Sequence, residues 1–227
     1  MAIFPYENKK NTVLQMEDLH DQLLALVLDR LRLGHESSLS LSLASSRHGE
    51  GVSTILFNLA AALSKGTTKR ILLVDGNSRR PVLHSWFGIP LNKPGFFDVL
   101  AGEAPLETAL VLDDYNNYAV LTRGQQVQHP IVLIDSIAFR SFLEQVKQQF
   151  DVILFDCPPL QNGPETSVLA RQTDAFILIV EAEKTRWEVA EHHKKQLAAN
   201  GVPLSGAILN KKKMFIPRLI YRLLLAN

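Results

Sequence analysis

The sequence predicts an α/β fold in which a mainly parallel sheet is flanked by helices, and three observations carry that expectation. First, short apolar runs recur: Arg70–Asp75 (RILLVD), Asp151–Asp156 (DVILFD) and Ala175–Val180 (AFILIV). Such runs are strands buried on both faces, as parallel strands are. Second, helical spacing fills the intervals, as in Asp135–Phe150, where Ile137, Phe139, Phe142, Leu143 and Val146 are apolar and Asp135 is a candidate cap. Strands alternating with helices of that length make crossover units. Third, 227 residues at 46% hydrophobic and 21% charged suffice for one large core and exclude disordered, collagenous and disulfide-built chains.

The elements then follow in order. Met16–Leu33 is an amphipathic helix with Leu19, Leu23, Leu26, Val27 and Leu31 near one face, closed by Gly34. Ser38–Ala44 alternates Ser and Leu, the period of a strand. The turn SSRHGEGVST leads into the helix ILFNLAAALSKG, which ends at Gly66. Arg70–Asp75 and Ala119–Thr122 are strands, and Asp135–Phe150 is a helix. Beyond them come strand Asp151–Asp156, helix Glu165–Arg171, strand Ala175–Val180, helix Thr185–Asn200 and strand Leu204–Leu209 with a glycine inside it. No Pro-, Gly- or Ser-rich linker interrupts this alternation. The expected organisation is an N-terminal helical segment (1–37), a single α/β domain (38–210) and a basic amphipathic C-terminal segment (211–227).

Charge and cysteine usage narrow the function. Lys and Arg number 24 against 23 Asp and Glu, a formal net charge of +1, which lacks the basic excess of a nucleic-acid binder. A single Cys157 forms no internal disulfide and fits a reducing compartment. The start MAIFPYENKK lacks the order of a signal peptide, and the apolar stretch around Gly51–Ser64 is too short to span a bilayer. A soluble, cytoplasmic protein is expected. Residues 211–227 carry five basic residues and no acid, leaving 1–210 at −4. A strongly apolar face accompanies that charge: Ile216, Leu219, Ile220, Leu223 and Leu224, with Pro217 able to open a helix. Two readings stand: a surface for anionic membrane or a partner groove, or a terminal helix docked on the domain.

The turn after the first strand is a candidate phosphate site. In Gly49-Glu50-Gly51-Val52-Ser53-Thr54 the backbone N–H groups can converge on an anion, and the helix N-terminus adds favourable partial charge. Against the pattern G-x-x-x-x-G-K-S/T, Ser53 supplies the hydroxyl for Mg²⁺. Val52 stands where a lysine neutralises the β- and γ-phosphates, and Ser46 where the first glycine belongs. Alone, the string describes a tight turn into a core helix equally well. Two strand ends shift the balance: Asp75 and Asp156 each close an apolar strand on a carboxylate, where an open α/β sheet places its ligand site. Carboxylates there bind Mg²⁺ directly or through water.

At these residues the chain resembles the cytoplasmic ATPase domains of bacterial tyrosine autokinases (BY-kinases) of capsule and exopolysaccharide synthesis, relatives of the MinD/ParA ATPases. The carrying segments are GEGVST, ILLVDGNSRRPVLHSWFG (71–88), PGFFDVLAGEAPLETAL (94–110), HPIVLIDS (129–136), FDVILFDCPP (150–159) and SGAILN (205–210), in matching order over roughly 38–225. The resemblance implies a P-loop NTPase-like domain that takes ATP or ADP with Mg²⁺. It also implies a partner, a polysaccharide chain-length or export membrane protein, and a homo-oligomer. By the same resemblance Gly49, Glu50, Gly51, Val52, Ser53 and Thr54 surround the phosphates, and Ser53, Asp75 and Asp156 hold the metal. Asp75 and Asp156 would be the Walker A′ and Walker B carboxylates of catalysis, Asn210 would contact the base, and Arg79 and Arg80 match the family's basic pair.

The departures from the family pattern imply a catalytically impaired protein with weak or absent nucleotide binding. Val52 replaces the phosphate lysine, and Asn77 replaces the second Asp of the family's DxD. The tyrosine cluster is missing apart from Tyr221, and the N-terminal helix lacks the family's acidic–Arg–Arg motif. Phosphoryl transfer depends on positioning and charge stabilisation, so these losses act together. One rescue stands beside this reading: Arg47 occupies the place of the MinD signature lysine and could reach phosphates, against its plainer role as a solvated loop residue. An active ATPase or kinase and a membrane-associated positioning ATPase are therefore the alternatives to a regulatory or scaffold role. His48, His192 and His193 lack metal-ligand spacing and are expected on the surface. Cys157 is expected as a small packed residue, and Trp86 and Phe87 as packing under the loop.

Overall fold

The computed structural model describes residues 38–113 and 118–212, together with Val27. Among the described residues seven strands form one sheet: β1 (Leu39–Ser45), β2 (Ile71–Asp75), β3 (Val111–Asp113), β4 (Tyr118–Leu121), β5 (Val152–Asp156), β6 (Ala175–Glu181) and β7 (Leu204–Asn210). Their order is β3-β4-β2-β5-β1-β6-β7, parallel throughout except for β3 against β4. The helices are α1 (Val52–Gly66), α2 (Leu83–Trp86), α3 (Phe96–Ala101), α4 (Leu106–Ala109), α5 (Pro130–Ile134), α6 (Ile137–Gln149), α7 (Glu165–Ala170) and α8 (Trp187–Ala199). The α/β class with helices on a mainly parallel sheet is as the sequence predicts.

Two apolar clusters form, each built from alternate residues of the same strands. Leu41, Leu43, Ile71, Leu73, Val152 and Leu154 meet Ile55, Leu56, Leu59 and Leu63 of α1. Leu72, Val74, Ile153, Phe155, Phe176 and Leu178 meet Phe96, Phe139, Phe142 and Val146 of α3 and α6. The buried positions of α1 recur at helical spacing from Val52 to Leu63, which fixes the face it turns to the sheet.

The alternation of Ser and Leu in β1 does not mark an exposed face, since all its residues are buried. Its serines are satisfied by hydrogen bonds instead: Ser40 Oγ donates to Asp174 Oδ2 at 2.7 Å, Ser42 shares a 2.8 Å hydrogen bond with Thr173, and Ser45 Oγ donates to the Arg47 carbonyl at 2.7 Å. A buried hydroxyl is tolerated when it has such a partner. Other sequence boundaries shift as well. α1 begins at Val52, three residues before the predicted start, and the edge strand β3 and short helices α2 to α5 carry too little periodicity to be read. Ser136, not Asp135, caps α6 by accepting from Phe139 N at 3.4 Å, while Asp135 pairs with Arg171 at 2.7 Å. The predicted N-terminal helix lies outside the described residues except for Val27, which is helical and buried. The tail beyond Lys212, with Tyr221, also lies outside them.

Candidate functional site

The sheet order places β1 between β5 and β6: the β1–β2 crossover runs past β5 to one side, the β5–β6 crossover runs past β1 to the other, and a crevice opens at the C-terminal end of β1. The loop Ser46–Gly51 fills that crevice and runs straight into α1. Gly49 and Gly51 have φ of +82° and +96°, conformations that a side chain strains, and Gly51 is the N-cap of α1. The Asn210 side chain lies directly against Gly51, leaving no room for a Cβ.

Three side chains hold the loop: Asn210, Lys211 and Glu50. Asn210 Nδ2 donates to the Glu50 carbonyl at 2.7 Å, and its Oδ1 accepts from Lys211 N at 2.9 Å. The Lys211 ammonium donates to the Gly49 carbonyl and pairs with Glu181 Oε2 at 3.3 Å. The buried Glu50 carboxylate accepts from Arg47 N at 3.0 Å, Glu181 N at 3.4 Å and the Thr185 hydroxyl. Glu50 thus points away from the loop mouth and pins it to the segment after β6.

Val52 is 8% exposed and belongs to the apolar cluster under α1. The next two residues, Ser53 and Thr54, are half-buried on the first turn. Ser53 Oγ donates to Asp156 Oδ2 at 2.5 Å. Asp75 and Asp156 are register partners at the ends of β2 and β5, and both are buried. Asp75 accepts from the backbone N–H of Asn77 (3.2 Å), Val82 (2.9 Å) and Leu83 (3.1 Å). Burial pushes its carboxyl up against those donors and the nearby Arg123 charge. Burial, followed by the Asp75 charge, pushes Asp156 up further against the Ser53 hydrogen bond. Two adjacent buried carboxylates disfavour double ionisation, and a cation between them relieves that cost. Ser53, Asp75 and Asp156 bring together an all-oxygen donor set of the kind Mg²⁺ takes.

The sequence marks Asn77, Arg79 and Arg80, but not the Ser78, Glu165 and Arg123 that the fold brings beside them. Asn77 Oδ1 accepts from Arg79 N at 3.3 Å and Arg80 N at 3.0 Å, so its amide folds the turn that carries both arginines. The buried Glu165 accepts from Ser78 Oγ at 3.0 Å, and its second oxygen has no partner among the described residues. Arg123 Nη1 donates to the Ser78 carbonyl at 3.2 Å. Ser78, Arg123 and Glu165 are joined only by the fold; no spacing announces that they meet. His48 meets Asn162 at 3.2 Å, and burial with the Arg80 charge lowers its pKa. His193 corrects its surface assignment: it is buried within electrostatic reach of Glu50 and Arg47. Arg47 itself is exposed. Trp86 and Phe87 pack edge-on against Phe57 of α1 at 6.0 and 5.9 Å. Cys157 is buried as expected, and burial pushes its thiol well up. Among the described residues no helix is long and apolar enough to cross a membrane.

Comparison with known proteins bears on this site directly. Residues 40–192 match a family described as an AAA domain. The chain is 30% identical over 175 residues to the tyrosine-protein kinase YwqD of Bacillus subtilis, covering 77% of this chain and 73% of that protein. It is 31% identical over 160 residues to the tyrosine-protein kinase ptk of Acinetobacter johnsonii, 70% of this chain but only 22% of that protein's length. The crystal structure of the VpsO kinase domain superposes with a TM-score of 0.75 at 27% identity, covering 88% of this chain and 98% of that one. MinD of Pyrococcus horikoshii, solved with Mg-ADP, shares the fold at a TM-score of 0.64 and 24% identity over 82% of this chain and 76% of that one. On the loop, the paired strand-end carboxylates and this likeness along most of its length, the chain belongs to the bacterial tyrosine-kinase (BY-kinase) family.

Proposed function

We propose that this chain is a catalytically impaired BY-kinase-family protein of bacterial capsule or exopolysaccharide synthesis, acting as a regulatory or scaffold partner of a chain-length or export membrane protein. The observation that carries the reading is Val52. At the loop position where charge must meet the phosphates, an apolar side chain is buried in the cluster beneath α1. The Lys211 ammonium, which does reach the loop, is engaged by the Gly49 carbonyl and Glu181. Losing one charge-assisted phosphate contact costs about 1.5–3 kcal/mol. On this reading ATP or ADP with Mg²⁺ binds weakly, through Gly49, Gly51, Thr54 and the Ser53–Asp75–Asp156 oxygens, with Asn210 toward the base. When bound, Mg²⁺ would supply charge neutralisation between the phosphates and the two carboxylates.

The partner assignment is supported by family membership and by the composition of the segment 211–227, whose basic and apolar residues suit a partner groove or an anionic surface. The retained Ser53–Asp156 bond favours a second reading, an active ATPase or kinase with an altered loop in which Arg47 serves the phosphates. Hydrolysis of ATP and self-phosphorylation by the purified chain separate the two. The impaired reading expects neither above background. Turnover that disappears on Arg47→Ala establishes the second reading instead.

A further inference from the structure

Two consecutive peptide units of the loop are capped by the two residues that end β7 and follow it. The Lys211 ammonium donates to the Gly49 carbonyl, and Asn210 Nδ2 donates to the Glu50 carbonyl at 2.7 Å. Both peptides are trans, so each N–H is directed opposite to its own carbonyl. The N–H groups of the capped units belong to Glu50 and Gly51 and are therefore directed away from Lys211 and Asn210. Among the described residues neither of them has an acceptor.

Lys211 is held in place for this contact. Its backbone adopts φ +56°, uncommon for a residue with a Cβ, and its N–H donates to Asn210 Oδ1 at 2.9 Å. The side chain returns over the loop, where Cε lies 4.0 Å from the place that a Cβ on Gly51 would take. Glu181 Oε2 accepts from Lys211 at 3.3 Å and from Lys184 at 3.2 Å, so one carboxylate oxygen serves two ammonium groups. A cationic donor on a carbonyl polarises the peptide and strengthens the N–H at its other end as a donor to anions. The same charge adds to the positive potential at the N-terminus of α1, where Val52 brings none.

We propose that Lys211 is a positioning residue of the anion site. Acting through the Gly49–Glu50 peptide, it supplies from behind the loop part of the charge that position 52 lacks, and so sets the affinity for the phosphates of a nucleotide. This rests on the reading above in one respect, that a nucleotide binds the loop weakly.

The test is an amide NMR titration of the purified full chain with Mg-ADP into the millimolar range, following the Glu50 and Gly51 signals. In the wild-type chain both amides are expected to move with added Mg-ADP. Lys211→Met should weaken that binding by about three- to tenfold, the scale of one partly exposed charge at a helix N-terminus. Before any ligand is added, the same substitution should shift the Glu50 amide proton upfield, because its peptide is no longer polarised. Glu181→Gln removes the counter-charge and leaves the Gly49 contact, so it should tighten binding. A purely mechanical latch predicts the reverse, since losing the carboxylate loosens the lysine. Urea midpoints report whether each variant keeps its fold. Equal affinity of the wild-type chain and Lys211→Met overturns the proposal, and so does weaker binding by Glu181→Gln. Glu50 and Gly51 amides that stay in place in the wild-type chain at millimolar Mg-ADP also overturn it. The impaired-enzyme reading fails on a different readout, ATP turnover, so either can fall alone.

Discussion

Gly51 and Asn210 meet across the mouth of the phosphate loop. Gly51 adopts φ +96°, and the Asn210 amide that faces it donates to the neighbouring Glu50 carbonyl at 2.7 Å. β7 therefore closes over the loop that follows β1. Gly51→Ala strains the αL backbone and drives a methyl group into that amide. A loss of about 1–3 kcal/mol in urea denaturation is expected, and an unchanged midpoint would contradict the contact.

The Glu50 carboxylate holds the loop from behind through Arg47 N, Glu181 N and the Thr185 hydroxyl. Glu50→Ala strands those donors at a cost of roughly 1–3 kcal/mol. It should also expose the loop to proteolysis near Gly49, while Glu50→Gln, which keeps an acceptor, should lose less. Equal effects of the two substitutions would show that the hydrogen bonds to Glu50 are not what fixes the loop.

The paired carboxylates make the metal-free protein less stable as pH rises. Burial lifts Asp75 from the ordinary 3.8 to about 6 and Asp156 to about 8, so the folded state binds more protons than the unfolded one across that span. Stability in EDTA should fall between about pH 4 and pH 8. Urea midpoints at pH 5.5 and pH 8 check this, with Asp156→Asn flattening the slope. Millimolar Mg²⁺ should recover stability chiefly at the higher pH. A wild-type midpoint that rises toward pH 8 would contradict the pair.

Cys157 gives a reactivity prediction. Buried beside Asp156 and within reach of Glu165, its thiol is held protonated by burial first and by those charges second. Ellman's reagent at pH 8 should leave it unmodified in the native chain and react on unfolding. Rapid native modification would place it at the surface.

Much of the architecture was legible because it is written in local pattern. Apolar runs such as RILLVD and DVILFD announce buried parallel strands, and their terminal Asp75 and Asp156 announce the crevice. What was not legible is written in pairings between distant residues. The buried serines of β1 depend on Thr173 and Asp174, and the turn of Arg79 and Arg80 depends on Asn77 and Glu165. His193 reads as a surface residue of a charged helix, and only the closeness of α8 to the loop buries it. In the sequence Val52 marks only a missing charge; its burial at the start of α1 adds that the valine packs into the core.

The most direct test of the account is calorimetric titration of ATP and ADP with Mg²⁺ into the wild-type chain and Val52→Lys. The account predicts weak or undetectable binding to wild type and a gain of about ten- to a hundredfold in the variant, the scale of one restored charge-assisted contact. Comparable, tight binding by both proteins would contradict it and establish a loop that holds nucleotide without the lysine.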